Sequence, residues 1–97
     1  MMATPEGKVK SQLREIFKKY NVLYTPVTQT LYGNSGFPDY QAYTRAGKGF
    51  VVEVKSATGK LTPNQLVWRK DLLEWGVPYF LFNGSEKSVN ELEEFLR

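Results

Sequence analysis

Gly36-Phe37-Pro38-Asp39-Tyr40-Gln41-Ala42-Tyr43-Thr44-Arg45-Ala46-Gly47-Lys48-Gly49-Phe50-Val51-Val52-Glu53-Val54-Lys55 holds two aromatic and β-branched runs around a glycine-rich turn. It predicts a strand over Asp39–Arg45, a hairpin turn at Ala46–Gly49 and a second strand over Phe50–Ser56. Phe50-Val51-Val52 followed by Val54 reads as a strand buried on much of both faces. Side chains alternate along a strand, so Glu53 and Lys55 share one face while Val52 and Val54 take the other. Asp39 opens the neighbouring strand, and a hairpin can bring it beside Glu53.

Upstream, Thr4-Pro5-Glu6 has the chemistry of a helix start: an N-capping hydroxyl, proline at the first helical position and an acid in the first turn. Val9, Leu13, Ile16, Phe17 and Tyr20 follow at helical spacing, and Asn21 is a plausible stop. Val22–Tyr32 reads as a strand, with Pro26 marking an edge or a bulge, and Gly33–Gly36 as a turn. Downstream, Thr62-Pro63-Asn64-Gln65 repeats the Thr-Pro start, with Gln65 completing a capping box. Leu66, Trp68, Leu72 and Leu73 give that helix its expected apolar face, and Gly76 ends it. Val77–Phe82 reads as a short strand and Asn83-Gly84-Ser85 as a turn. Ser88-Val89-Asn90-Glu91 reads as a second capping box, with Val89, Leu92, Phe95 and Leu96 on one face of a last helix. The order α-β-β-β-α-β-α predicts a single α/β domain over residues 1–97, a mixed central sheet flanked by helices.

Composition narrows the chemistry. The 97 residues contain no His and no Cys. Ser-His-Asp triads, imidazole acid–base catalysis, thiolate nucleophiles and most zinc sites are excluded. Carboxylates, lysines, tyrosines and oxygen-liganded metals remain. The sequence shows no apolar run long enough to span a membrane and no signal-peptide pattern at Met1–Glu6, so no membrane partner is expected. Absence of Cys fits a reducing cytoplasm. Net charge is +3, with residues 1–60 carrying nine basic and four acidic side chains and residues 61–97 four and six. That asymmetry suits a polyanionic partner.

Two carboxylates converging in one cleft repel, and a hard divalent cation relieves the repulsion. Glu6 lies on the apolar stripe of the first helix, where it serves either as a capping acid or as a further acid of the site. Gln65 is likewise either a capping-box partner or a hydrogen-bonding group at the site. Lys8, Lys10, Arg14, Lys48, Lys60 and Arg69 are candidate phosphate contacts. Tyr24, Tyr32, Tyr40 and Tyr43 either stack on bases or pack in the core.

Glu6, Gly36-Phe37-Pro38-Asp39, Glu53-Val54-Lys55 and Gly59-Lys60-Leu61-Thr62-Pro63-Asn64-Gln65, in that order, resemble the PD-(D/E)XK nuclease superfamily. More narrowly, the chain resembles the small stand-alone virus-type replication-repair nuclease (VRR-NUC) domains found in phages. The resemblance implies that Asp39, Glu53 and the backbone carbonyl of Val54 bind Mg²⁺, with Mn²⁺ able to substitute, and that Glu6 assists directly or through water. It implies that Lys55 positions the attacking water or neutralises charge on the phosphate, with Gln65 in support. It implies no organic cofactor, and a phage-encoded endonuclease working in the host cytoplasm. A homodimer cutting branched DNA such as four-way (Holliday) junctions is the implied assembly. A non-catalytic nucleic-acid-binding module and an RNA-directed nuclease stay open as alternatives on the same fold. With 97 residues there is little chain beside the core for long-sequence recognition, so the expected target is a DNA shape.

Overall fold

The computed structural model describes residues 4–28 and 36–97. Its elements are α1 (Pro5–Lys19), β1 (Leu23–Pro26), β2 (Tyr40–Tyr43), β3 (Gly49–Val54), α2 (Pro63–Glu74), β4 (Tyr79–Phe82) and α3 (Glu86–Leu96). The strands lie in the order β1-β2-β3-β4, the first three antiparallel and β4 parallel to β3. A short hairpin can join only antiparallel neighbours, so the parallel β4 requires the α2 crossover. The α/β order read from the sequence is the order observed.

Local signals account for the helix ends. Thr4 Oγ1 accepts the Gly7 N–H with Pro5 at the first helical position, and Thr62 and Gln65 form a reciprocal capping box. Both α1 and α2 close with Schellman turns. Asn21 (φ 54°) directs the Val22 N–H to the Phe17 carbonyl, and Gly76 (φ 79°) directs the Val77 N–H to the Leu72 carbonyl. The start of α3 lies earlier than its Ser-x-x-Glu pattern suggested. Ser85 is the N-cap, and Ser88 is buried within the first turn, its Oγ donating to the Ser85 carbonyl. Two serines three apart carry the same capping chemistry, and the earlier one follows Gly84 directly.

The sheet has two unlike faces. Tyr40, Ala42, Phe50, Val52, Val54 and Phe82 meet Leu13, Ile16 and Phe17 of α1 and Leu92 of α3 in the main core. Phe50 packs edge to face against Phe17 at 6.1 Å and against Phe95 at 5.2 Å. The opposite face carries Gln41, Val51, Glu53, Tyr79 and Leu81 and is only partly covered by α2, with Gln41 and Leu81 left exposed. Tyr24 and Tyr40 belong to the aromatic core, so neither offers a ring for base stacking.

The expected apolar face of α2 is not a buried face. No residue of this helix is buried, Leu66 and Leu73 are exposed, Val67 is 59% exposed and Trp75, its C-cap, is 85% exposed. At about 100° per residue, the half-buried positions Gln65, Trp68 and Leu72 share one side, while Leu66 and Leu73 fall on another, so the apolar residues do not form one buried stripe. The helix is pinned instead by Trp68 against Phe37 at 5.0 Å. Gly36 (φ 90°) also lies so close that a Cβ there would meet the Asn64 backbone at 2.6 Å. Packing on α2 thus explains this glycine. The rest of the Gly33–Gly36 turn, Tyr32 and the far half of the Val22–Tyr32 strand fall outside the described residues. Within them, the strand ends at Pro26.

Candidate active site

Asp39 sits one residue before β2. Because Tyr40 pairs with Val52, the hairpin sets Asp39 beside the Glu53–Val54 end of β3. Three contacts hold it there. Its Oδ2 accepts the Val54 N–H at 2.8 Å, its carbonyl accepts the Val27 N–H at 2.8 Å, and the Lys10 ammonium lies 3.9 Å from Oδ1.

Glu53 is only 2% exposed, and its Oε1 has no hydrogen-bond partner. Burial, then hydrogen bonding to Asp39 and the Asp39 charge, push its carboxyl up to about 9. Lys55 pulls it down and Glu6 adds a smaller upward push. A buried carboxyl that keeps its proton beside a second acid is a site short of positive charge. The donor set is hard oxygen throughout, with no imidazole or thiolate, and matches Mg²⁺, Mn²⁺ or Ca²⁺. The orphaned Oε1 and the Asp39 pairing show that the residues fit such an ion.

Lys55 follows β3 and continues its ladder by donating its N–H to the Phe82 carbonyl at 3.0 Å. The turn in which the Gly59 N–H meets the Ser56 carbonyl braces its aliphatic stem: a Cβ on Gly59 would be 3.4 Å from Lys55 Cβ and Cδ. The lysine head therefore lines a cleft shared with Thr4, Pro5 and Glu6 at the start of α1. Glu53 is hydrogen-bonded to Asp39 and lies near enough to Lys55 and Glu6 to feel their charges, so the hairpin brings the acids together as their spacing indicated.

The other expected site residues part company. Glu6 is exposed at the cleft mouth, and among the described residues no three acids gather closely enough to hold a metal. Its helical position places it near the site on the solvent side of the first turn, where its charge adds to the upward push on the Glu53 carboxyl. Gln65 uses its amide oxygen on the Thr62 N–H, which favours its capping role. Lys48 lies in the hairpin turn with its ammonium over the Phe95 ring at 4.8 Å. It sits roughly 17 Å along β3 from Glu53 at 3.3 Å per residue, too far to flank the site. Lys8 and Lys60 are exposed, and Arg14 donates to Ser11 Oγ at 3.1 Å. Lys10 is engaged with Asp39 itself. Arg69 lies over the Tyr79 ring at 5.7 Å, on the Glu53 side of the sheet. The sequence reading places Tyr79 only within the Val77–Phe82 strand. The signal that could have found it is the parallel pairing of β3 with β4, which the α2 crossover implies.

A three-stranded antiparallel sheet extended by a parallel strand, with Asp39 and Glu53-x-Lys55 at the open end of the β2–β3 hairpin, defines the PD-(D/E)XK class of nuclease folds. A solved structure described as a VRR_NUC domain is similar to this chain with a TM-score of 0.80 and 32% identity, covering 95% of this chain and 97% of that one. The chain belongs to the VRR-NUC family and is a nuclease-type domain. No family model and no curated protein matches it.

Proposed function

We propose that this domain is a Mg²⁺- or Mn²⁺-dependent endonuclease that hydrolyses phosphodiester bonds in branched DNA, four-way junctions above all. The observation that carries the reading is the buried Glu53 carboxyl paired with the half-buried Asp39, with Lys55 braced beside them. Asp39, Glu53 and the Val54 carbonyl would hold the ion, with Glu6 reaching it through water. The ion supplies positive charge against the charge developing on the phosphate and acidifies the attacking water. Lys55 adds a point charge where the phosphate docks. Lys8, Lys60 and Arg69 would steer the backbone. The exposed α2 side chains Leu66, Val67, Leu73 and Trp75 offer an apolar surface for a homodimer, whose two-fold axis suits the two equivalent strands of a junction. Among the described residues no helix is long and apolar enough to cross a membrane. The reading extends to a phage-encoded enzyme acting in the host cytoplasm.

A labelled four-way junction, a flap, linear duplex and RNA are incubated with the protein in Mg²⁺, Mn²⁺ or EDTA. Metal-dependent cutting of the junction well ahead of linear duplex is the expected result, with a sedimentation mass twice that of one chain. Binding of DNA without cutting of any substrate would identify a non-catalytic module. RNA cut ahead of DNA would reassign the substrate.

Lys10 is a cation already resting on Asp39, so a dication must share the carboxylate with it or displace it. Lys10→Met is expected to tighten Mn²⁺ binding about threefold to tenfold by calorimetry, a partly solvent-screened repulsion. Weaker binding in the variant would show that Lys10 holds Asp39 in place for the ion.

A further inference from the structure

Among the described residues, two buried side-chain polar atoms have no hydrogen-bond partner: Glu53 Oε1 and the Tyr79 hydroxyl. They belong to the same sheet face. Val51 pairs with Tyr79 and Glu53 with Leu81 in the parallel β3–β4 ladder, so the tyrosine stands one diagonal step from the glutamate. Two residues of strand are roughly 6–7 Å, an offset that a long aromatic side chain can span. An orphaned buried hydroxyl costs about 1–3 kcal/mol, which calls for an explanation outside the metal-free fold. One atom is an acceptor and the other a donor, and each lacks what the other supplies.

We propose that Tyr79 is a positioning residue of the site: its O–H donates to Glu53 Oε1 when Glu53 holds a divalent cation, fixing the carboxylate's orientation. Three further features support the assignment. Burial and then the Glu53 charge push the Tyr79 hydroxyl up, so it stays a donor at any working pH. The Arg69 guanidinium over its ring holds the ring's plane and adds positive charge on this face. Asp39 already accepts from Val54, so a donor from β4 leaves both carboxylates of the pair anchored from separate strands. A metal-ligating carboxylate commonly depends on such a supporting hydrogen bond.

This inference rests on Glu53 being a metal ligand, and the experiment separates the two. Mn²⁺ affinity is measured by calorimetry, and thermal stability in EDTA, for the wild type, Tyr79→Phe and Tyr79→Leu. Tyr79→Phe keeps the ring under Arg69 and removes only the hydroxyl. Its expected signature is a Mn²⁺ Kd about tenfold weaker together with an unchanged or higher melting temperature in EDTA. A role in ring packing alone predicts the reverse: Tyr79→Phe like the wild type and Tyr79→Leu unstable, which would overturn the proposal. A Tyr79→Phe Kd equal to that of a wild type that binds Mn²⁺ overturns it as well. A wild type that binds no Mn²⁺ overturns the metal reading beneath it.

Discussion

Glu53→Gln is expected to make the metal-free protein more stable and to abolish its metal-dependent cleavage. Both follow from one buried carboxyl. In the fold it titrates near 9, against 4.5 for an ordinary glutamate, because burial and Asp39 oppose its charge. The folded state therefore binds more protons than the unfolded state between those two values. Stability from this group is complete below about 4.5 and is lost as pH rises toward 9. At neutral pH the cost is on the order of 2 kcal/mol, after allowing that one shifted unit is about 1.4 kcal/mol and that a buried acid relaxes. For a domain this small, that is roughly 10 °C in melting temperature. Melts in EDTA from pH 5 to 9 should fall steadily for the wild type and stay nearly flat for Glu53→Gln. Parallel slopes would remove Glu53 as the titrating group. The amide cannot balance a cation's charge, so cleavage should drop about a thousandfold or more, equivalent to several kcal/mol of lost transition-state stabilisation.

The same residue shows how far the sequence could be read. Glu53 was visible as a charge on an apolar strand, and its face was correctly assigned from alternation. The depth of its burial was not legible, because it depends on packing between elements distant in sequence, which has no local signature. The Thr4 and Thr62 caps and the Val9–Tyr20 stripe are local and stand where the residues indicate, whereas the α3 cap falls on Ser85 rather than Ser88. The Asp39–Glu53 meeting is next most local, since one hairpin turn at Ala46–Gly49 sets it. Contacts across the sheet or around a helix were harder. Lys48 was charge-appropriate but belongs to the wrong end of the hairpin. The apolar residues of α2 were counted without their directions. Tyr79 needed the β3–β4 register, which an α2 crossover implies in hand but not in phase.

Lys55→Met is expected to slow cleavage by about a hundredfold to a thousandfold while leaving Mn²⁺ affinity within about threefold of the wild type. Methionine keeps most of the stem that Gly59 and Ser56 brace, so the strand end and its Phe82 bond should persist. The variant loses the charge. Two consequences for metal binding then oppose each other. Lys55 draws the Glu53 carboxyl down, so without it Glu53 parts with its proton less readily and binding weakens. A neighbouring positive charge also repels a dication, so its removal tightens binding. Their near-cancellation leaves the rate as the sensitive quantity. An ammonium beside a phosphate that gains charge in the transition state is worth about 3–4 kcal/mol when water is excluded. Single-turnover cleavage of the junction at saturating Mn²⁺ isolates that step. If added metal restores the lost rate, Lys55 serves the ion-holding carboxylates. If the rate stays low at every metal concentration, its charge acts on the phosphate, and Asp39 with Glu53 holds the ion without it.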